Sequence, residues 1–146
     1  MGEIRLARPE DLDSLSALQA AWPDLPRWTR GHFAEELAGE RARLIVLEEE
    51  GTLAGFAALR VVAPEAEVTV VAVAPARVRR GIARRLLERL HAMAAGAGCS
   101  IIGLEVSAAN APAIALYAST GYRVVGRRPK YYNDGSDALL MSLRLP

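Results

Sequence analysis

The stretch VTVVAVAPARVRRGIARRLLERL, residues 68–90, does most to limit what this chain can become. It opens with a mostly β-branched run, Val68 to Val73, which reads as a buried strand. Ala74-Pro75 ends that strand, because proline has no N–H to give to a ladder. Ile82, Leu86, Leu87, Leu90 and Met93 then recur at helical spacing, which predicts a helix from near Gly81 with that face buried. Between strand and helix lies RVRRGIAR, with arginines at 77, 79, 80 and 84.

A helix N-terminus carries unpaired N–H groups and about half a positive charge, so acidic side chains are the ones expected there. Arg79, Arg80, Arg84 and Arg85 put positive charge on a positive end. A bound anion would offset this, and Gly81 with Ala83 would let it approach the backbone. The alternative is a solvated arginine face in a chain with 17 arginines and one lysine.

The 146 residues are enough for one domain with a real core, and residues 1–146 are read as a single unit. The net charge of +1 gives no reason to expect DNA or an anionic membrane as partner. Cys99 is the only cysteine, so no intrachain disulfide or thiol metal cluster can form, and it reads as a small buried hydrophobe. The N-terminal MGEIRLARPED lacks a signal-type apolar segment, and no run is long enough to span a bilayer, so a cytoplasmic location is expected.

The remaining elements follow from periodicity. Ile4 and Leu6 mark a short strand. Pro9, Glu10 and Asp11 suit a first helical turn, and Leu12, Leu15, Leu18 and Trp22 mark a helix face that stops before Pro23. Residues 22–26 read as a loop broken by two prolines, and Thr29 as the N-cap of a second helix that Gly39 ends. Residues 42–47 and 53–62 form a hairpin pattern, and a turn at 63–66 leads into the Val68 strand. Gly96 to Gly98 break the long helix, residues 100–106 form a strand, and strand–helix–strand implies a right-handed parallel crossover. Asn110 and Pro112 open a short helix to about Thr120, followed by strands at 122–127 and 138–143. The sum is an α/β fold, a mixed sheet of about seven strands flanked by about four helices.

Two residues carry potential chemistry. Glu105 lies on the strand face shared with Gly103, which leaves space above it. Burial there would raise its pKa toward a general base, whereas an acid reaching solvent or an arginine would have no such role. Tyr117, on the short helix, is either a core ring with its hydroxyl at the surface or a proton donor to a leaving group. His32 and His91 read as isolated surface residues, and no serine or cysteine has the surroundings of an activated nucleophile. Tyr131 and Tyr132 are either hairpin aromatics or the wall of a substrate cleft.

Taken together, a strand, an arginine turn into a helix, a strand ending in LEV and then SAANAPAIALYASTGY resemble the GCN5-related N-acetyltransferases (GNAT) over essentially the whole chain. LEVSAANAPAIALYASTGY with RRPKYYNDGSDALLMSL looks like the RimI-type members, which acetylate the N-terminal alanine of a ribosomal protein. The resemblance implies acetyl-CoA as cosubstrate, with its diphosphate on Arg79, Arg80, Gly81, Ile82, Ala83 and Arg84, chiefly through backbone amides. It also implies that Val71, Ala72 and Val73 line the pantetheine arm and that Asn110 contacts the cofactor. Glu105 would be the general base, Tyr117 the general acid, and Tyr131 and Tyr132 part of the acceptor site. No metal is required, and a monomer or weak dimer is expected. Two positions depart from the pattern: Val78, where glutamine or arginine is usual, and Ser107, where RimI-type enzymes carry arginine. A small-amine acetyltransferase and a non-catalytic acyl-CoA-binding module are the competing expectations.

Overall fold

The computed structural model describes residues 2–22, 25 and 27–146, so the expected break at Pro23 and Pro26 lies outside the described residues. The strands are β1 (Glu3–Leu6), β2 (Ala42–Glu49), β3 (Thr52–Val62), β4 (Glu65–Val73), β5 (Ile101–Ser107), β6 (Arg123–Arg128) and β7 (Ala138–Arg144). The helices are α1 (Leu12–Ala20), α2 (Arg30–Ala38), α3 (Ile82–Gly96) and α4 (Ala111–Ser119). One sheet holds all seven strands in the order β1-β2-β3-β4-β5-β7-β6, with β4 and β5 parallel and every other pair antiparallel.

Each face of the sheet has its own core. On one, Ile82, Leu86, Leu87, Leu90 and Ala94 of α3 pack on Ile45, Leu47, Ala57 and Leu59, joined by Ile102, Leu104 and Val106 of β5. On the other, Leu12, Leu15, Leu18 and Phe33 of α1 and α2 pack on Leu44, Val46, Phe56 and Ala58. The Val68–Val73 run serves both. Its register with β3 slips between Leu59↔Val68 and Ala58↔Val70, leaving Thr69 as an inserted residue. In a regular strand Val68 and Val70 would share a face. The bulge sends Val68 into the α3 core and Val70 with Ala72 into the other.

Gly55 fixes how closely α3 approaches. A Cβ at this position would lie 2.8 Å from the Ala72 carbonyl oxygen and 3.1 Å from side-chain carbons of both Ile82 and Leu86. The first turn of α3 therefore rests directly on β3, because one side chain is missing.

The parallel pair is short. β4 and β5 are joined only at Glu65↔Ile101, Ala66↔Ile102 and Glu67↔Gly103. Beyond that point β4 stays with β3 as far as Val73↔Gly55, and β5 stays with β7 as far as Ser107↔Ala138. The sheet thus splits along its middle, and residues 68–73 and 104–107 face each other across a gap without ladder bonds.

At the other edge, Arg5 clamps the start of the chain. Its guanidinium donates to both Asp11 carboxylate oxygens, at 2.8 and 3.0 Å, and to Glu48 at 2.7 Å. Asp11 Oδ2 also accepts from the Arg8 amide at 2.7 Å. Asp11, expected merely to complement a helix dipole, is 8% exposed and holds β1 to α1.

Two predictions follow from these contacts. Gly55→Ala should lower stability by about 1–3 kcal/mol through overpacking, and an unchanged thermal midpoint would contradict the close approach. Hydrogen bonding to Arg5, opposed by burial, holds the Asp11 carboxyl below its ordinary range. Its stabilising contribution is therefore complete above the unfolded carboxyl pKa of about 4 and is lost as pH falls through the lower folded value. Asp11→Asn should flatten the acid limb of the stability curve and cost about 1–3 kcal/mol at neutral pH.

Candidate active site

The connection from β4 to α3 forms one lip of the split. After a short 3-10 turn over Pro75–Arg77, Arg79 and Gly81 both take left-handed backbone angles, φ 64° and 78°, and Gly81 is the N-cap of α3. The left-handed region costs a non-glycine residue roughly 1–2 kcal/mol, so Arg79 is held there by its surroundings. The first-turn amides of α3 have no partner in a preceding turn, and no acidic residue occupies that turn. A Cβ at Gly81 would meet nothing within 4 Å, so the backbone is open to approach.

Several of the arginines are already engaged. Arg84 donates to Ser119 Oγ at 2.6 Å, and Arg85 to the Gly2 carbonyl at 2.9 Å. Arg77 hydrogen-bonds Glu49, and Arg80 lies 3.5 Å from the same carboxylate oxygen. What this lip presents to an anion is chiefly its amides. On β4, the side chains of Val71 and Val73 pack toward the α3 core and Ala72 toward the other. Val73 O accepts from Trp22 Nε1 at 2.7 Å, which ties the end of α1 to the strand terminus.

The other lip is β5. Glu105 pairs in register with Leu140, keeps 27% of its side chain exposed, and has Arg128 Nη2 at 3.6 Å. Its burial is partial, and an arginine is its neighbour. A Cβ at Gly103 would touch only the Met141 carbonyl, at 3.7 Å, and the space above it belongs to a groove of about 590 Å³ that Glu105, Glu67 and Leu140 also line.

Tyr117 packs into the α3 core, edge-on to Tyr122 at 5.7 Å between centroids. Burial first, and the neighbouring Tyr132 second, push its phenol up to about 12. Tyr132 is in turn raised by burial and then by the charge of Glu105. Tyr132 thus interacts electrostatically with both the carboxylate and the helix phenol. Tyr131 is turned outward, 52% exposed, under the Arg128 guanidinium at 5.6 Å.

Loop anchoring accounts for other candidates. Asn110 Oδ1 caps α4 by accepting from the Ala113 amide at 3.2 Å. Ser107 Oγ lies 2.9 Å from Ser136 Oγ, and Asp137 accepts from the Lys130 amide at 2.9 Å and pairs with Arg127 at 3.0 Å. The Tyr131–Tyr132 loop is thereby tied to the end of β5. The histidines are less isolated than their sequence positions imply. His91 Nε2 lies 2.9 Å from the Tyr122 hydroxyl, and His32 stacks near Trp28 at 4.3 Å. The split sheet, the Arg128 neighbour and the Glu49 contacts had no sequence signal, since each depends on pairing between distant segments.

The sequence matches the acetyltransferase (GNAT) family model over residues 10–122. It is 40% identical over 119 residues to the ribosomal protein bS18-alanine N-acetyltransferase of Escherichia coli strain K12, covering 80% of each chain. It is 39% identical over 119 residues to the N-alpha-acetyltransferase RimI of Mycobacterium tuberculosis, covering 78% of this chain and 73% of that one. The crystal structure of the ribosomal-protein-S18-alanine N-acetyltransferase from Escherichia coli superposes with a TM-score of 0.90 at 36% identity, covering 99% of this chain and 94% of that chain. With the family model spanning most of its length, and a sheet that opens beside an arginine turn, the chain belongs to the acetyltransferase (GNAT) family.

Proposed function

We propose that this protein transfers the acetyl group of acetyl-CoA to the N-terminal α-amine of a protein, with the N-terminal alanine of a ribosomal protein as the favoured acceptor. The observation that carries this reading is the split between β4 and β5, which sets the arginine turn on one lip and Glu105 on the other. Likeness to the bS18-alanine and N-alpha-acetyltransferases supports the acceptor class. Such an acceptor is made in the cytoplasm, and that is where the protein would act.

The residues present fit acetyl-CoA as a substrate. The first-turn amides of α3 from Ile82 to Arg84, with Arg79, Arg80 and Gly81 before them, would hold its diphosphate. The unladdered edge over Val71, Ala72 and Val73 offers backbone groups to the pantetheine arm and to the thioester carbonyl. Asn110 keeps its side-chain amide donors after capping α4 with its oxygen, and these would contact the cofactor.

An α-amine has a pKa near 8, so much of it is protonated at pH 7 and cannot attack. Glu105, directly or through a water, takes that proton. The free amine then attacks the thioester carbonyl, and collapse of the adduct expels the CoA thiolate. Tyr117 protonates that thiolate, and the second amine proton, released as the amide forms, passes through solvent to restore the phenol. A phenol held near 12 keeps its proton throughout the assay range, so the acid form is always present. Tyr131 and Tyr132 form the wall against which the acceptor peptide lies.

Steady-state assays with an alanine-initiated peptide should show Glu105→Gln and Tyr117→Phe each reducing kcat about a hundredfold or more while the proteins stay folded. Wild-type rates in both folded variants would remove the assigned roles. Turnover of polyamines or free amino acids, but not of the peptide, would replace the acceptor. Because Tyr117 does not titrate in the accessible range, Tyr117→Phe should lower the pH–rate profile uniformly. Loss of an alkaline limb in that variant would instead show that the phenol titrates within the assay range, below its raised value.

A further inference from the structure

We infer that Glu49 is a positioning residue for the acyl-CoA diphosphate, acting through the arginine turn; this rests on the function proposed above. Glu49 is the last residue of β2, in the hairpin opposite Thr52, and lies far in sequence from the turn. Its side chain is only 8% exposed. Oε1 receives the Arg77 guanidinium and has Arg80 Nη1 at 3.5 Å. Hydrogen bonding to Arg77 holds the Glu49 carboxyl below the ordinary range, so it is a carboxylate at neutral pH.

The placement of the two arginines gives the contact its meaning. Arg77 closes the 3-10 turn that follows β4, and Arg80 stands between the two left-handed residues, Arg79 and Gly81. Glu49 therefore grips both sides of the strained backbone at Arg79. That backbone decides where the amides entering α3 point. Arg77 is mostly buried, with 24% of its side chain exposed, and serves as the anchor. Arg80 is 53% exposed, and at 3.5 Å it is drawn toward the carboxylate without a tight hydrogen bond, so its outer face stays turned to solvent beside the turn.

Two physical effects of Glu49 oppose each other, and this makes the inference testable. As a negative charge near an anion site, Glu49 should weaken binding of a diphosphate. As a clamp on the turn, it should strengthen that binding. The carboxylate is already compensated by two guanidinium groups, with which it lines one groove, so the clamp is the larger effect.

The experiment compares two acetyl donors, acetyl-CoA and S-acetylpantetheine, which lacks the diphosphate, using the alanine-initiated peptide as acceptor. Glu49→Gln should raise the KM for acetyl-CoA about tenfold with kcat within twofold, leave the KM for the peptide unchanged, and leave kcat/KM for S-acetylpantetheine unchanged. Arg77→Gln, which removes the anchor from the other side, should do the same, and the double variant should be no worse than either single one. Tighter acetyl-CoA binding in Glu49→Gln would overturn the inference in favour of simple charge repulsion. Equal losses with both donors would overturn it in favour of a general folding role, and unchanged kinetics with both would overturn it by showing no role in donor binding. If Glu49→Gln does not fold, the donor comparison in Arg77→Gln decides alone. Wild-type protein that acetylates with neither donor would instead strike at the proposed function, an outcome distinct from all of these.

Discussion

Parallel pairing between β4 and β5 stops after three residues, and nearly everything functional in the molecule depends on where it stops. A sheet strand normally satisfies its backbone on both sides, and leaving one edge unladdered inside a protein is costly unless something else takes the bonds. Here the two lips are held apart by what each remains attached to. β4 is committed to β3 up to Val73, and β5 to β7 up to Ser107. Each lip is thus rigid on its outer side, and only the inner side is open.

The bulge at Thr69 and the bare backbone at Gly55 make the β4 lip possible. Reversing the facing of Val70 and Ala72 lets one strand feed two cores, so β4 is gripped from both faces just where its neighbour departs. The missing Cβ at Gly55 lets Ile82 and Leu86 settle against β3, which brings the start of α3 level with the opening. On the β5 lip, the tether from Ser107 to Ser136 carries the tyrosine loop with the strand. Ser107 thereby has a structural role, joining the strand to that loop.

Element identity was legible from residue patterns because local periodicity determines it. The strand–turn–helix at 68–90, the hairpin at 42–62, the Thr29 and Asn110 caps and the parallel crossover all appear where they were expected. The apolar run of β4 announced burial on both faces, but the inserted residue that achieves it has no signature beyond an unremarkable threonine. The placement of Glu105 beside Gly103 could be read from alternation along the strand. Its proximity to Arg128 and Tyr132 could not, since those residues arrive from beyond α4. Asp11, read as complementing a helix dipole, and Glu49, between the two runs of the hairpin, show the same limit. Each binds arginine from another segment.

Asymmetric attachment of the lips has a mechanical result. With Glu67↔Gly103 as the last joined pair, the two strands behave like the arms of tongs closed at one end. A small change of angle at the joined end is magnified at Val73 and Ser107 by the length of the arms. The width of the opening is therefore tied to the pairing of Ala66 with Ile102, the pair before the last one joined.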